Sequence, residues 1–184
     1  MRKIIAIVGM PGAGKSEATR MLGERGYSAI RFGAIVTEDY LRNKGKDVNE
    51  KNERNVRERL RKKYGMAAMA KLSAGKISEA LKKSNVAIDG MYSWEEYLFL
   101  KRKYGKMFFV VAVYASPKTR QKRLGKRKIR PLTPRECASR DYAQIEKLKT
   151  GGPIASADFT IVNEGMLGDL KKSVSAVIRK ISKF

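Results

Sequence analysis

Gly9-Met10-Pro11-Gly12-Ala13-Gly14-Lys15-Ser16 follows the spacing G-x-x-x-x-G-K-[ST], the pattern of a loop that folds its backbone around phosphate groups. Its flanks are those such a loop requires. Lys3-Ile4-Ile5-Ala6-Ile7-Val8 precedes it, an apolar run rich in β-branched residues that reads as a buried parallel strand. Glu17-Ala18-Thr19-Arg20-Met21-Leu22-Gly23-Glu24-Arg25 follows, with Ala18, Met21 and Leu22 at helical spacing and Gly26 as the C-cap. Strand, glycine turn and helix together predict a P-loop. Glycines allow backbone amides to turn toward an anion. The helix N-terminus adds partial positive charge. In that geometry Lys15 is placed for the β- and γ-phosphates, and the Ser16 hydroxyl for magnesium. The predicted donor site is residues 9–16 with Glu17 in the first helical turn, and its expected occupants are ATP and Mg2+.

Composition narrows the chemistry. There is no histidine among the 184 residues. Serine–histidine triads, histidine bases and histidine metal sites are excluded, so a general base has to be a carboxylate, a lysine or water. Cys137 is the single cysteine, which rules out an intramolecular disulfide and fits a reducing cytoplasm. It reads as a small buried apolar residue. No apolar run approaches the roughly 20 residues of a membrane span, and no targeting segment is read. The expected location is cytoplasmic, with no membrane partner. Lys and Arg number 41 against 18 Asp and Glu, a formal charge of +23. Such a balance calls for polyanionic partners. Nucleotide phosphates are one candidate and RNA or DNA another; generally solvated lysines are the third reading. The basic residues are spread along the chain rather than gathered in a tail, which weakens the nucleic-acid reading.

Strand and helix signals alternate beyond the P-loop. Tyr27-Ser28-Ala29-Ile30-Arg31-Phe32 reads as a second strand. Gly33 opens a polar helical region in which Val56, Leu60 and Tyr64 form a narrow apolar stripe, followed by a longer helix from Met66 to Lys83. Asn85-Val86-Ala87-Ile88-Asp89-Gly90 is a third strand. Ser93-Trp94-Glu95-Glu96 is a capping box, with Trp94, Tyr97 and Leu98 on the apolar side of its helix. Met107 to Tyr114 is the most hydrophobic strand and is expected at the centre of the sheet. Ser116-Pro117 and Thr133-Pro134-Arg135-Glu136 each open a further helix. Phe159-Thr160-Ile161-Val162 is the last strand, before a helix striped by Leu167, Leu170, Val174, Val177, Ile178 and Ile181. The prediction is an α/β fold of the P-loop NTPase type: three layers, with a five-stranded parallel sheet and helices on both faces. One domain over residues 1–184 is expected, with a helical acceptor-side insertion at about 33–83 and a short basic lid at about 118–140.

Two further constellations carry chemistry. Asp89 ends the third strand, where a magnesium–nucleotide site needs a carboxylate to hold a metal-bound water or to accept a proton. A plain turn with Gly90 is the structural reading. From Lys118 to Arg130 the chain is dense in cations, and Arg120, Arg123 and Arg127 fall on one face of an uninterrupted helix. Guanidinium groups clamp the charge that develops in phosphoryl transfer, and Gly125 is a candidate hinge. A solvated cationic face or a nucleic-acid strip are the other two readings.

These residues resemble the nucleoside-monophosphate-kinase branch of P-loop kinases, which includes adenylate kinase and dephospho-CoA kinase. The likeness is nearest to small archaeal and bacterial adenylate-kinase-related proteins. It runs through residues 9–16, Ala115-Ser116-Pro117-Lys118-Thr119-Arg120, Ser139-Arg140-Asp141, Gly151-Gly152-Pro153-Ile154-Ala155 and the stretch from Ala157 to Gly165. It implies that Asn163, Glu164 and Gly165 lie against adenine. It also implies Arg123 near the adenine or phosphates, and Arg127 and Arg140 on phosphate. With Lys15 and Asp89, these three arginines are the expected catalytic set; Ser16 and Asp89 are the expected magnesium ligands. The chain departs from adenylate kinases at two places. Gly33-Ala34-Ile35-Val36-Thr37 lacks their acidic residue and arginine, and Asp89-Gly90 is followed by Met91-Tyr92-Ser93, without an arginine. AMP is therefore expected to be a poor acceptor. A hydroxyl-bearing acceptor with apolar or aromatic surface suits Tyr40, Tyr92 and Trp94 better. The sequence thus predicts transfer of the γ-phosphoryl group of ATP to a small nucleotide-like or coenzyme-like molecule; an RNA-associated P-loop ATPase is the alternative.

Overall fold

Every residue of β1 (Ile4–Val8) is buried, so this strand has to be covered on both faces. Ile4, Ala6 and Val8 enter one apolar cluster, and Ile5 and Ile7 another, the period-two alternation of a pleated strand. β4 (Phe108–Tyr114) divides in the same way: Phe108, Val110 and Ala112 face the first cluster, and Phe109, Val111 and Val113 the second. The computed structural model describes residues 1–48, 50–128 and 131–184. It completes the sheet with β2 (Ser28–Arg31), β3 (Val86–Asp89) and β5 (Phe159–Val162), all parallel, in the order β2-β3-β1-β4-β5.

The helices among the described residues are α1 (Lys15–Gly23), α2 (Asp39–Arg42), α3 (Glu50–Tyr64), α4 (Ala68–Leu81), α5 (Trp94–Tyr104), α6 (Pro117–Gly125), α7 (Pro134–Tyr142), α8 (Gly151–Ala155) and α9 (Leu167–Ile181). Met21 and Leu22 of α1 and Leu170, Val174 and Ile181 of α9 bury against one face of the sheet. Val56 and Leu60 of α3, Met69 and Ile77 of α4, and Leu100 and Tyr104 of α5 bury against the other. The expected three-layer α/β sandwich is the observed fold. The chain leaves β1 for β2 on one side of the sheet and later crosses from β3 to β4 on the other, so the carboxyl end of β1 lies where the strand order reverses. Open α/β sheets bind ligands at that point.

Several local expectations are corrected. β1 occupies the middle of the sheet, with β4 beside it; β4 is continuously apolar because it has a strand on each side and helices over both faces. α1 ends at Gly23, and Gly26, at φ +83°, closes the following turn. Tyr64 and Leu98 leave their apolar stripes and are 38% and 40% exposed, since each lies on the outward side of its helix. Leu167 likewise is exposed at the start of α9. The three helix starts hold as expected. Ser93 accepts the Glu96 amide at 3.1 Å and Glu96 accepts the Ser93 amide at 3.1 Å. Thr133 and Glu136 form the same reciprocal pair, and Ser116 caps α6 with Pro117 in its first turn. Cys137 is buried with Leu124 and Leu132, joining α6 to α7.

Candidate donor and acceptor site

The loop between β1 and α1 is held from outside itself. Gly9 and Gly14 adopt φ +143° and +107°, values that disfavour any side chain. A Cβ on Gly9 would collide with the Val113 carbonyl, and one on Gly14 with the Asn163 amide. Asn163 donates from Nδ2 to the Ala13 carbonyl at 2.8 Å, and its backbone N–H donates to the Tyr114 carbonyl at 2.7 Å. On the other side, Arg120 donates from Nη1 to the Pro11 carbonyl at 3.2 Å and from Nε to the Ala115 carbonyl at 3.1 Å. The same guanidinium makes a fork to Asp141 of α7 at 2.8 and 2.7 Å. Met10, Pro11, Gly12 and Ala13 are thus fixed between β5 and α6. A cradle that needs no rearrangement loses little when it closes on charge.

Lys15, in the first turn of α1, bends back to donate to the Met10 carbonyl at 3.1 Å. Its Nζ lies 5.8 Å from the centre of the Tyr92 ring. Burial lowers its pKa from 10.5 to about 8; Arg127 and Arg120 act in the same direction, while Asp89 and Asp141 oppose it. A phosphate anion at this place would restore the charged form. Ser16 stands exposed next to it, and Glu17 turns to Arg20, to which it hydrogen-bonds at 3.0 Å. Asp89 is buried at the carboxyl end of β3, opposite Ile7 in register, with Arg31 Nε at 3.9 Å. Magnesium takes one or two protein oxygens and completes its shell with phosphate and water. The exposed Ser16 hydroxyl, in the first turn of the helix that follows β1, and the Asp89 carboxylate, at the end of the neighbouring β3, suit that demand.

The basic segment is arranged differently from the expected stripe. α6 stops at Gly125, so Arg127 lies beyond the helix, and Arg120 is buried. An i, i+3, i+7 face exists only on an unbroken helix. Arg123 donates to the Asn163 carbonyl at 2.9 Å and the Gly165 carbonyl at 3.2 Å. Glu164 accepts from the Ser116 amide and from the Ser116 and Thr119 hydroxyls, which hold its carboxyl below the usual range, the Thr119 contact most of all. Asn163, Glu164, Gly165 and Arg123 are therefore one braced unit beside the P-loop. Arg127 is exposed yet within electrostatic reach of Lys15. Arg140 is exposed on α7 and acts on Glu136, one turn earlier. Arg130, at the end of the expected run, lies outside the described residues.

Tyr92 forms a floor under Lys15, and burial pushes its hydroxyl up to about 12. Trp94 stacks on Tyr97 with ring centres 4.9 Å apart. Glu96 is fully buried, and burial raises it from 4.5 to about 7 although the Tyr92 and Ser93 amides and Arg61 favour its charge. Between pH 4.5 and 7 the folded protein then keeps a proton that the unfolded chain has released. Stability falls as pH rises through that window, by up to about 3 kcal/mol. Glu96→Gln keeps the cap and carries no proton to lose. The variant is expected to show a flatter pH dependence and greater stability than the parent at pH 8, by chemical unfolding at pH 5 and pH 8. A variant whose stability declines like the parent's would remove Glu96 as the cause. Sequence reasoning found Glu96 only as a cap, read Arg120 as part of the basic lid rather than as a buried brace on Asp141, and missed Asp141 and Arg61 as site neighbours. Arg120 and Asp141 carried a signal: both stand in the stretches quoted for the resemblance.

Comparison with known proteins agrees with this architecture. Residues 5–145 match the family described as AAA domain. A UPF0200 protein of Sulfurisphaera tokodaii is 36% identical over 183 residues, covering 97% of each chain. Among solved structures, a shikimate kinase from Bacteroides thetaiotaomicron superposes with a TM-score of 0.62 at 16% identity, covering 98% of each chain. A dephospho-CoA kinase from Campylobacter jejuni gives 0.58 at 16% identity, covering all of this chain and 99% of its own. At such identities the structural likeness is one of fold, and it extends across P-loop kinases of different acceptors. No helix among the described residues is long and apolar enough to cross a membrane.

Proposed function

This chain belongs to the AAA domain family and to the UPF0200 proteins, and on that premise we propose that it is an ATP-dependent phosphotransferase acting on a small molecule. The observation that carries the reading is a P-loop shaped in advance by Asn163 and Arg120, with an enclosed lysine that lacks a directly paired anion. The shikimate kinase and the dephospho-CoA kinase whose fold it shares support the reaction class. The P-loop amides and Lys15 hold the phosphates of ATP. Arg123 and the backbone of residues 163–165 wall the adenine, and Arg127 and Arg140 bring positive charge when the segment closes. Ser16, and Asp89 through a metal-bound water, would hold magnesium, which would supply Lewis-acid stabilisation of phosphate charge. The acceptor hydroxyl oxygen bonds to the γ-phosphorus while the bond from that phosphorus to the β–γ bridging oxygen breaks. ADP leaves, and the hydroxyl proton passes to Asp89 and then to solvent. The protein works in the cytoplasm as a single domain.

Incubation of the purified chain with γ-labelled ATP and pools of nucleosides, nucleoside monophosphates and dephospho-CoA tests this. Label is expected on an organic acceptor, in a reaction that requires both substrates. The high positive charge supports a second reading, an RNA-associated ATPase. Label found only in inorganic phosphate, at a rate raised by RNA and lowered steeply by salt, would replace the first reading with the second.

A further inference from the structure

The floor formed by Tyr92 continues into charged groups that the donor site does not use. Glu96 is wholly enclosed at the start of α5. Its Oε2 accepts the Tyr92 and Ser93 amides at 2.8 and 3.1 Å, while its Oε1 has no partner among the described residues. Arg61, on α3, is within electrostatic reach of both Glu96 and Tyr92, and its buried Nε also has no partner. Glu95 Oε2 is buried and unpartnered as well. One turn earlier on α3, Arg57 pairs with Glu53 at 3.1 Å and acts on Tyr92, as does Arg31. The helical insertion thus supplies guanidinium groups where the loops after β2 and β3 have none. An enclosed donor and an enclosed acceptor of opposite charge, near each other and unjoined, each carry a desolvation cost. A ligand with an anionic oxygen for one and a hydrogen-bond donor for the other removes both costs.

We propose that this is the acceptor pocket and that the acceptor is a small hydroxylated anion. Its carboxylate or phosphate sits on Arg61, with Arg57 adding positive charge, and a hydroxyl that does not react donates to Glu96. A second hydroxyl, toward Lys15 and Asp89, takes the γ-phosphoryl group in the transfer written above. The inference rests on the phosphotransferase reading and narrows it. A neutral sugar or nucleoside would leave Arg61 unanswered in a poorly solvated place, so discrimination against it is expected.

The test uses the full chain with γ-labelled Mg-ATP and three probe sets: gluconate and glycerate; ribose 5-phosphate and AMP; glycerol, glucose and adenosine. The kcat/KM for the best anionic probe is expected to exceed that of every neutral one by at least about 30-fold. The first two sets distinguish carboxylate from phosphate. Arg61→Leu is expected to raise the KM for that probe by at least about 30-fold, leaving the KM for ATP within about twofold; Arg61→Lys should recover part of the loss. Protection against melting by ATP shows that each variant is folded, and where Arg61→Leu lacks it, Arg61→Lys carries the test by a smaller rise in KM of the same kind. A neutral probe as the best acceptor, or an unchanged KM in the folded variant, overturns the pocket assignment and leaves the phosphotransferase reading standing. Phosphate release with no label on any probe overturns both.

Discussion

Replacing Lys15 with alanine is expected to slow phosphoryl transfer by roughly 10³-fold without unfolding the protein. The lysine is the one cation within the P-loop, and it meets the charge that grows on the transferring group rather than any partner in the empty protein. Its Nζ donates only to a carbonyl, that of Met10. Burial has already weakened its charge, to a pKa of about 8. The folded pKa is lower than the unfolded one, so the parent gains stability as pH rises from about 8 to 10.5, whereas the alanine variant does not. At pH 7 the variant should be at least as stable as the parent. ATP binding above pH 8 should also take up protons in the parent and lose that uptake in the variant, measurable by calorimetry in buffers of different ionisation heat. Parent-like turnover in Lys15→Ala would move the chemistry away from the P-loop.

Arg120→Ala is expected to cost about 3–5 kcal/mol of stability, the largest loss from any single charge in the chain. Its side chain is 7% exposed and that of its partner Asp141 21%. The guanidinium joins four oxygens: two of Asp141 and the carbonyls of Pro11 and Ala115. Alanine leaves the carboxylate partly buried and two carbonyls unsatisfied, and it frees α7 from the P-loop. Asp141→Asn keeps the shape and should cost less. Denaturant unfolding of both variants decides the matter. A loss below about 1 kcal/mol for Arg120→Ala would mean that the cluster is solvated in solution.

The P-loop was legible because its requirements are local. Gly9 and Gly14 need backbone conformations that glycine alone accepts readily, at fixed spacing from Lys15 and Ser16. The same holds for the capping boxes at Ser93 and Thr133, where donor and acceptor are three residues apart. Asp89 was legible as a strand end in a parallel sheet that the alternation of elements suggested. Arg120 was not legible as a core residue. In a run such as Lys118 to Lys128 nothing local separates the one arginine that is buried from those that are solvated; Asp141, 21 residues on, does so. Arg61 was hidden for the same reason, since Arg57-Glu58-Arg59-Leu60-Arg61-Lys62-Lys63 reads as a solvated face until α3 packs on α4 and brings Arg61 within electrostatic reach of Glu96. Asn163 was found by resemblance and expected at adenine. Its side-chain amide also serves the carbonyl of Ala13, a contact that no periodicity announces.

That contact joins residues 150 positions apart, and it gives the protein a schedule. The glycine loop is synthesised well before the side chain that shapes it. β5 is an edge strand of the sheet, and its arrival beside β4 delivers Asn163 to Ala13 and Arg123's two carbonyl partners to α6. A nascent chain stalled before residue 163 would carry the whole glycine motif and yet lack the brace that shapes it. Affinity for nucleotide is then expected only once residue 163 has been made and β5 has joined the sheet.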